Sequence, residues 1–123
     1  MDSTKFTIPK GTDFSFTVTV TQADSFLAQD LTNMSSAVLV VMGLADQLTE
    51  FTKNLTVQDA LNGVLAGTIL GTDSANMVLS RGAAEDRYYL KPNYQATIDI
   101  TFSDGTLPIH VLIEEVYVSP TGA

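Results

Sequence analysis

His110 is the only histidine of the chain, and there is no cysteine. A hydrolase triad needs a base beside an activated nucleophile, and no Gly-x-Ser-x-Gly elbow stands in the sequence. His110 falls on the polar phase of an alternating run, between Ile109 and Val111, so it is predicted on the surface. With one imidazole and no thiolate, a metal would have to be held by oxygen. The ten aspartates, among them Asp24, Asp30, Asp59, Asp73, Asp86 and Asp104, are spread over predicted loops, and none opens an Asp-x-Asp-x-Asp-Gly loop. Glu114-Glu115 is a poor glycosidase pair. Such a pair faces across a sugar, whereas neighbours on a strand point to opposite faces. Tyr88-Tyr89 is the aromatic pair near a loop. It is placed either to stack on a sugar or anchor a protein partner, or to pack against a sheet edge. Phe51 is a further candidate partner contact. Phosphate-cradling glycine loops and basic patches are absent. The expectation is a non-enzyme with no catalytic residues, no cofactor and no metal site.

The composition narrows the class further. The chain has 123 residues, the size of one domain, and 45% of them are apolar, enough to build a core without staples. Fourteen acidic residues against six lysines and arginines give a net charge of −8. That surface repels phosphate backbones, so nucleic acid is not expected as a partner. Only 16% of residues are charged, so serine and threonine must cover much of the exterior. Met1-Asp2-Ser3-Thr4-Lys5 opens without the apolar stretch of a secretion signal. The longest apolar run, Ala37 to Leu44, is too short to span a bilayer. No membrane role is expected, and assembly in a reducing cytoplasm suits a chain without thiols. The sequons at Asn33 and Asn54 are read as chance.

Alternation is the main signal for the elements that position these residues. Phe6-Thr7-Ile8 is a short first strand that Pro9 ends or confines to an edge. Lys10-Gly11-Thr12-Asp13 reads as a turn. Phe14, Phe16, Val18 and Val20 then alternate with Ser15, Thr17 and Thr19. Residues 36–42 form a continuous apolar run that suits a strand covered on both faces. Leu48 to Val57 reads as one or two short strands. Asn62-Gly63 is a turn, and Val64 to Leu70 a strand with Gly67 as a bulge site. Asp73 is placed to cap a short helical turn over residues 74–77, and residues 81–86 read as loop. Tyr94, Ala96, Ile98, Ile100 and Phe102 alternate cleanly. Asp104-Gly105 marks a hairpin, and the return strand runs from Leu107 to Val118. There the apolar phase jumps at Glu114-Glu115, which predicts one extra residue, a β-bulge. Residues 119–123 are a tail.

About seven short strands with at most one helical turn predict an all-β fold, an immunoglobulin-like Greek-key β-sandwich occupying residues 1–123 with its core in 5–118. Leu90-Lys91-Pro92-Asn93-Tyr94 supports it. A Leu-x-Pro ahead of a tyrosine that opens a late strand resembles a tyrosine corner, in which the ring packs under the inter-sheet connection and the hydroxyl bonds backbone a few residues upstream. Asn93 is expected in the left-handed region there.

The order of these signals resembles the N-terminal domain of phage baseplate upper proteins and related immunoglobulin-like virion modules of tailed phages. The matching pieces are Lys10 to Phe14 opening the first long strand, Asp30-Leu31-Thr32 before the second, Gly67 in a middle strand, Leu90 to Tyr94, and the Tyr94–Val118 hairpin with Ser103-Asp104-Gly105 at its tip. The resemblance covers residues 5–118 and implies no catalytic residue. It implies a structural part of a virion, assembled in the host cytoplasm, whose partners are other virion proteins and further copies of itself. Members of that family usually continue into a longer receptor-binding scaffold, and this sequence stops at Ala123, so tail, collar or head decoration stand beside baseplate. A glycan- or receptor-binding module is the alternative, carried by Tyr88, Tyr89 and the loop aspartates. The sparse charge between Thr49 and Leu70, with Glu50, Lys53 and Asp59 as guards, marks that stretch as a contact surface.

Overall fold

A computed structural model describes residues 5–22, 25–83 and 86–119, and the side chains of these apart from residues 5 and 81–91. The fold is all-β, with ten strands and one short helix among the described residues. Five strands make one sheet, in the order β1 (Lys5–Pro9), β10 (Ile109–Ser119), β9 (Tyr94–Phe102), β3 (Met34–Gly43) and β4 (Thr49–Asn54). Three make a second, in the order β2 (Phe14–Thr19), β6 (Val64–Ile69) and β5 (Thr56–Asp59). A separate hairpin pairs β7 (Arg81–Ala83) with β8 (Asp86–Lys91). The expected strand number of about seven is exceeded because Leu48 to Val57 splits into two strands and residues 81–91 pair with themselves.

The alternating runs do what their period dictates. In β9, Tyr94, Ala96, Ile98 and Ile100 are buried while the residues between them are half-covered. In β3, Ala37, Leu39 and Val41 are buried and Val38, Val40 and Met42 only partly so. The valine run thus serves a central strand with one deep face and one shallow face. Across the core stand Val18, Leu65 and Ile69 of the second sheet. Each such side chain contributes roughly 1.5–3 kcal/mol by leaving water. Phe6, Phe14 and Phe16 close one flank, where β1 and β2 end their sheets. Their ring centroids lie 4.9–5.9 Å apart in edge and stacked arrangements, which adds directional attraction to the buried area.

Registers separate the predictions that held from those that did not. The β9–β10 ladder pairs Ile113 with Ala96 and then Val116 with Tyr94. Three steps on one strand against two on the other is the extra residue expected at Glu114-Glu115, and it returns Val116 and Val118 to the core. The Asp104-Gly105 turn is wider than a two-residue hairpin. β10 begins at Ile109, two residues later than expected, and residues 103–108 form the loop. Gly105 does take positive φ, +88°. At its far end β10 runs on through Ser119, one residue into the expected tail, because Pro9 of β1 pairs with it; residues 120–123 lie outside the described residues.

Gly67 forms no bulge. It pairs in register with Phe16, and a Cβ there would run into the Leu55 side chain and the Phe16 ring. Glycine is needed for close approach of backbone to core, and the irregularity of this sheet sits instead between Val57 and Asp59 of β5. The helix α1 (Gly71–Ser74) starts earlier than expected. Asp73 lies inside it, reaching back to accept the Leu70 N–H at 2.8 Å, so it satisfies the helix start from the third position rather than as the cap. Residues 81–83, expected as loop, are strand because Arg81 and Gly82 pair with Lys91 and Leu90. Asn93 has no positive φ; its side chain is used instead, donating to the Leu79 carbonyl at 3.1 Å.

Candidate functional site

Tyr94 opens β9 at the bottom of the core, 5% exposed. Its hydroxyl accepts the Val78 N–H at 2.8 Å, sixteen residues upstream rather than the few of a tyrosine corner. The segment between α1 and β7 has no ladder of its own, so its backbone groups must find partners elsewhere. Tyr94 and Asn93 supply two of them. Ser80 supplies another: its N–H donates to the Val118 carbonyl at 3.0 Å and its hydroxyl accepts the Val118 N–H at 2.8 Å. Pro92 is half-buried beside them. The Leu90, Tyr88 and Tyr89 side chains, expected as corner and partner contacts, lie outside the described side chains. Phe51 is half-buried and packs on the core, which leaves little of its ring for a partner.

Gly43, Asp46, Glu50, Asn76, Asn93 and Tyr94 help line a cleft of about 450 Å³ at this end. Its size falls within the ligand range, but its polar groups do not converge. Asp46 is turned onto the Leu48 N–H, and the Tyr94 hydroxyl is already engaged.

The remaining candidates are scattered. His110 lies on the surface as expected, its Nδ1 2.6 Å from Asp99 Oδ1 across the β9–β10 ladder. Glu114 is exposed, while Glu115 accepts the Tyr117 hydroxyl at 2.5 Å. That hydrogen bond, with partial burial and the carboxylate charge, pushes the Tyr117 phenol above its ordinary value. Asp104 accepts the Thr106 N–H at 3.0 Å and the Asn33 amide at 3.0 Å, which binds the β9–β10 tip to the loop before β3. Among the described residues no group of three histidine or carboxylate side chains could hold a metal ion, and no helix is long and apolar enough to cross a membrane. No family model and no curated protein matches the chain.

Two features escaped the sequence reading. Lys53 and Asp73 form an ion pair at 2.5 Å, both about a fifth exposed. Burial pushes the Asp73 carboxyl up, but the Lys53 and Leu70 hydrogen bonds and the Lys53 charge outweigh it and hold the group below its ordinary value. Nothing in their separation of twenty residues marks them as partners. The second is a set of exposed apolar side chains on the loops at the opposite end, Phe26, Leu61 and Leu107 above all. In sequence they pass for ordinary core residues beside turns.

Proposed function

We propose that this domain is a non-enzymatic assembly module of a tailed-phage particle, an immunoglobulin-like Greek-key sandwich that works by packing one flank against neighbouring subunits. The chain changes sheets between β1 and β2, between β2 and β3, between β4 and β5 and between β6 and β9, and repeated crossing of this kind supports the Greek-key reading. The phage context rests on the resemblance set out above. It is supported by the positions of the residues that carry it: the Lys10–Asp13 turn leads into β2, Asp30 to Thr32 precede β3, and Gly67 of β6 leaves no room for a Cβ beside Leu55 and Phe16.

The observation that carries the assembly role is the flank formed by β4 and β5. Each ends its sheet, and they follow one another in the chain through the buried Leu55. All four β5 side chains are exposed. An open edge offers unpaired backbone groups to another strand unless charge or proline guards it. Lys53, the cation expected to guard this flank, is bound to Asp73. The opposite flank has Pro9 and the phenylalanine cluster.

Light scattering at tens of micromolar, alone and with tail, baseplate and capsid proteins of the same particle, tests this. Wild-type protein is expected to associate, and Thr56→Lys/Gln58→Lys to stay folded and monomeric. A strictly monomeric wild type that binds no virion protein and does bind a glycan array would overturn the assembly role in favour of glycan binding.

A further inference from the structure

Three loops meet at the end of the body away from Tyr94: residues 20–33 between β2 and β3, residues 60–63 between β5 and β6, and residues 103–108 between β9 and β10. They are laced together by backbone. The Val20 N–H donates to the Gly63 carbonyl, the Leu31 N–H to Ala60 and the Ser103 N–H to Asn33, at 2.8–2.9 Å. Gly63, at φ +71°, would bring a Cβ within 2.8 Å of both the Val20 and the Gln29 carbonyl oxygens, so the loops touch where only glycine fits.

This tied surface displays what a folded chain usually hides. The three most exposed large apolar side chains among the described residues are Phe26 at 82%, Leu107 at 81% and Leu61 at 71%, one on each loop. Phe26 is also held at φ +59°, a conformation rare for a bulky residue. The Phe26 N–H donates to the Gln22 carbonyl and the Gln22 N–H to Leu27. Held by these bonds, the Phe26 ring faces outward instead of packing on the core.

Among the described side chains the charge on this end has one sign. Asp30, Asp59 and Asp104 are exposed in or beside the loops, and all six lysines and arginines lie elsewhere in the chain. Hydrogen bonds from the Thr32 side chain and backbone hold the Asp30 carboxyl below its ordinary value, and those from Thr106 do the same for Asp104. Both stay ionised to lower pH than an ordinary aspartate.

We propose that this loop end docks a protein surface that presents lysine or arginine around an apolar depression, with Phe26, Leu61 and Leu107 as the inserted groups. The carboxylates attract such a partner and repel phosphate-bearing ones, nucleic acid and anionic membrane alike. A second copy docking end to end is disfavoured, since a two-fold contact would set these aspartates against one another. Because backbone hydrogen bonds already tie these loops, little conformational freedom is lost on binding. The inference shares with the proposed assembly role only the premise that the domain acts by protein contact. It concerns the loop end, not the β4–β5 flank, and the two fail separately.

The test uses the isotope-labelled full chain and two short peptides of identical leucine and phenylalanine content, one carrying lysines and the other glutamates. The lysine peptide is expected to shift amide resonances in 25–33, 60–63 and 103–107, to bind at least about tenfold tighter than its glutamate counterpart, and to weaken with salt. Phe26→Ser/Leu107→Ser should lose that binding with an unchanged melting temperature, while Thr56→Lys/Gln58→Lys keeps it. Absence of binding, equal binding of both peptides, shifts confined to other surfaces, binding to neutral phosphatidylcholine vesicles that the double serine variant loses, or self-association removed by Phe26→Ser would each overturn it.

Discussion

At the end where β9 begins, side chains reach across the chain to hold backbone. Tyr94 takes Val78, Asn93 holds Leu79, Ser80 clips β10, and the buried Ser74 accepts the Gly11 N–H at 2.9 Å from sixty-three residues away. At the other end the ties are mostly backbone to backbone, and its aspartates serve turns only a few residues long, apart from the Asn33–Asp104 bond. The difference teaches how a small domain divides its polar groups. Residues 75–80 belong to no strand, so the Val78 N–H and the Leu79 carbonyl are met by the Tyr94 and Asn93 side chains and the Ser80 N–H by the Val118 carbonyl. The loops at the other end satisfy one another, which frees their apolar side chains to face water.

The contrast is most exposed to failure at Gly63. Gly63→Ala would force positive φ on alanine and push a Cβ into two carbonyl oxygens. It should cost on the order of 2–3 kcal/mol in urea melts, and a neutral result would mean the loops are not locked together. Tyr94→Phe comes next. It leaves the Val78 N–H without its acceptor and should cost about 1–2 kcal/mol; an unchanged midpoint would remove the Tyr94 hydroxyl as an anchor. Gly105→Ala sharpens the comparison within the loop end. Gly105 shares the positive φ of Gly63, but nothing lies within 4 Å of the Cβ that would be added. Only the backbone penalty remains, roughly 1 kcal/mol by the same assay. The smallest effect is on pH dependence. The Asp73 carboxyl titrates below its ordinary value of 3.8. Its stabilising contribution is therefore complete above that pH and is lost as pH falls through the lower folded value. Asp73→Asn should be the less stable protein at neutral pH, with the gap to wild type closing in acid. Parallel curves down to full protonation would show that the Lys53 pair contributes nothing.

Legibility in the sequence followed periodicity. The β9 and β10 runs, including the extra residue at Glu114-Glu115, could be read because a period of two exposes any phase jump at once. The turn at Asn62-Gly63 and the positive φ of Gly105 could be read because few residues tolerate that backbone. Residues 70–93 could be read only in part: a short helical turn at Asp73 could, but its bounds and the pairing of residues 81–83 could not. Gly71 to Ser74 are helical because Asp73 caps backwards and Ser74 is bound to the first turn. Residues 81–83 pair only because the chain returns at 86–91. Neither the bounds of the helix nor that pairing has a local signature. The candidate site suffered most, since exposure decides it. Phe51 and Phe26 look alike in sequence, yet one packs on the core and the other stands in water.

The pairing of β1 with β10 has a mechanical consequence. The two strands run parallel, from Lys5 beside Glu115 to Pro9 beside Ser119. Tension that enters ahead of β1 and leaves beyond β10 pulls them in opposite directions along their common axis. The slanted bonds of a parallel ladder are then loaded together in shear, and none can open until all yield. A hairpin pulled from its open end unzips one bond at a time. A domain inserted in line between two neighbours by these strands would transmit force along the chain with its core and its loop end undisturbed.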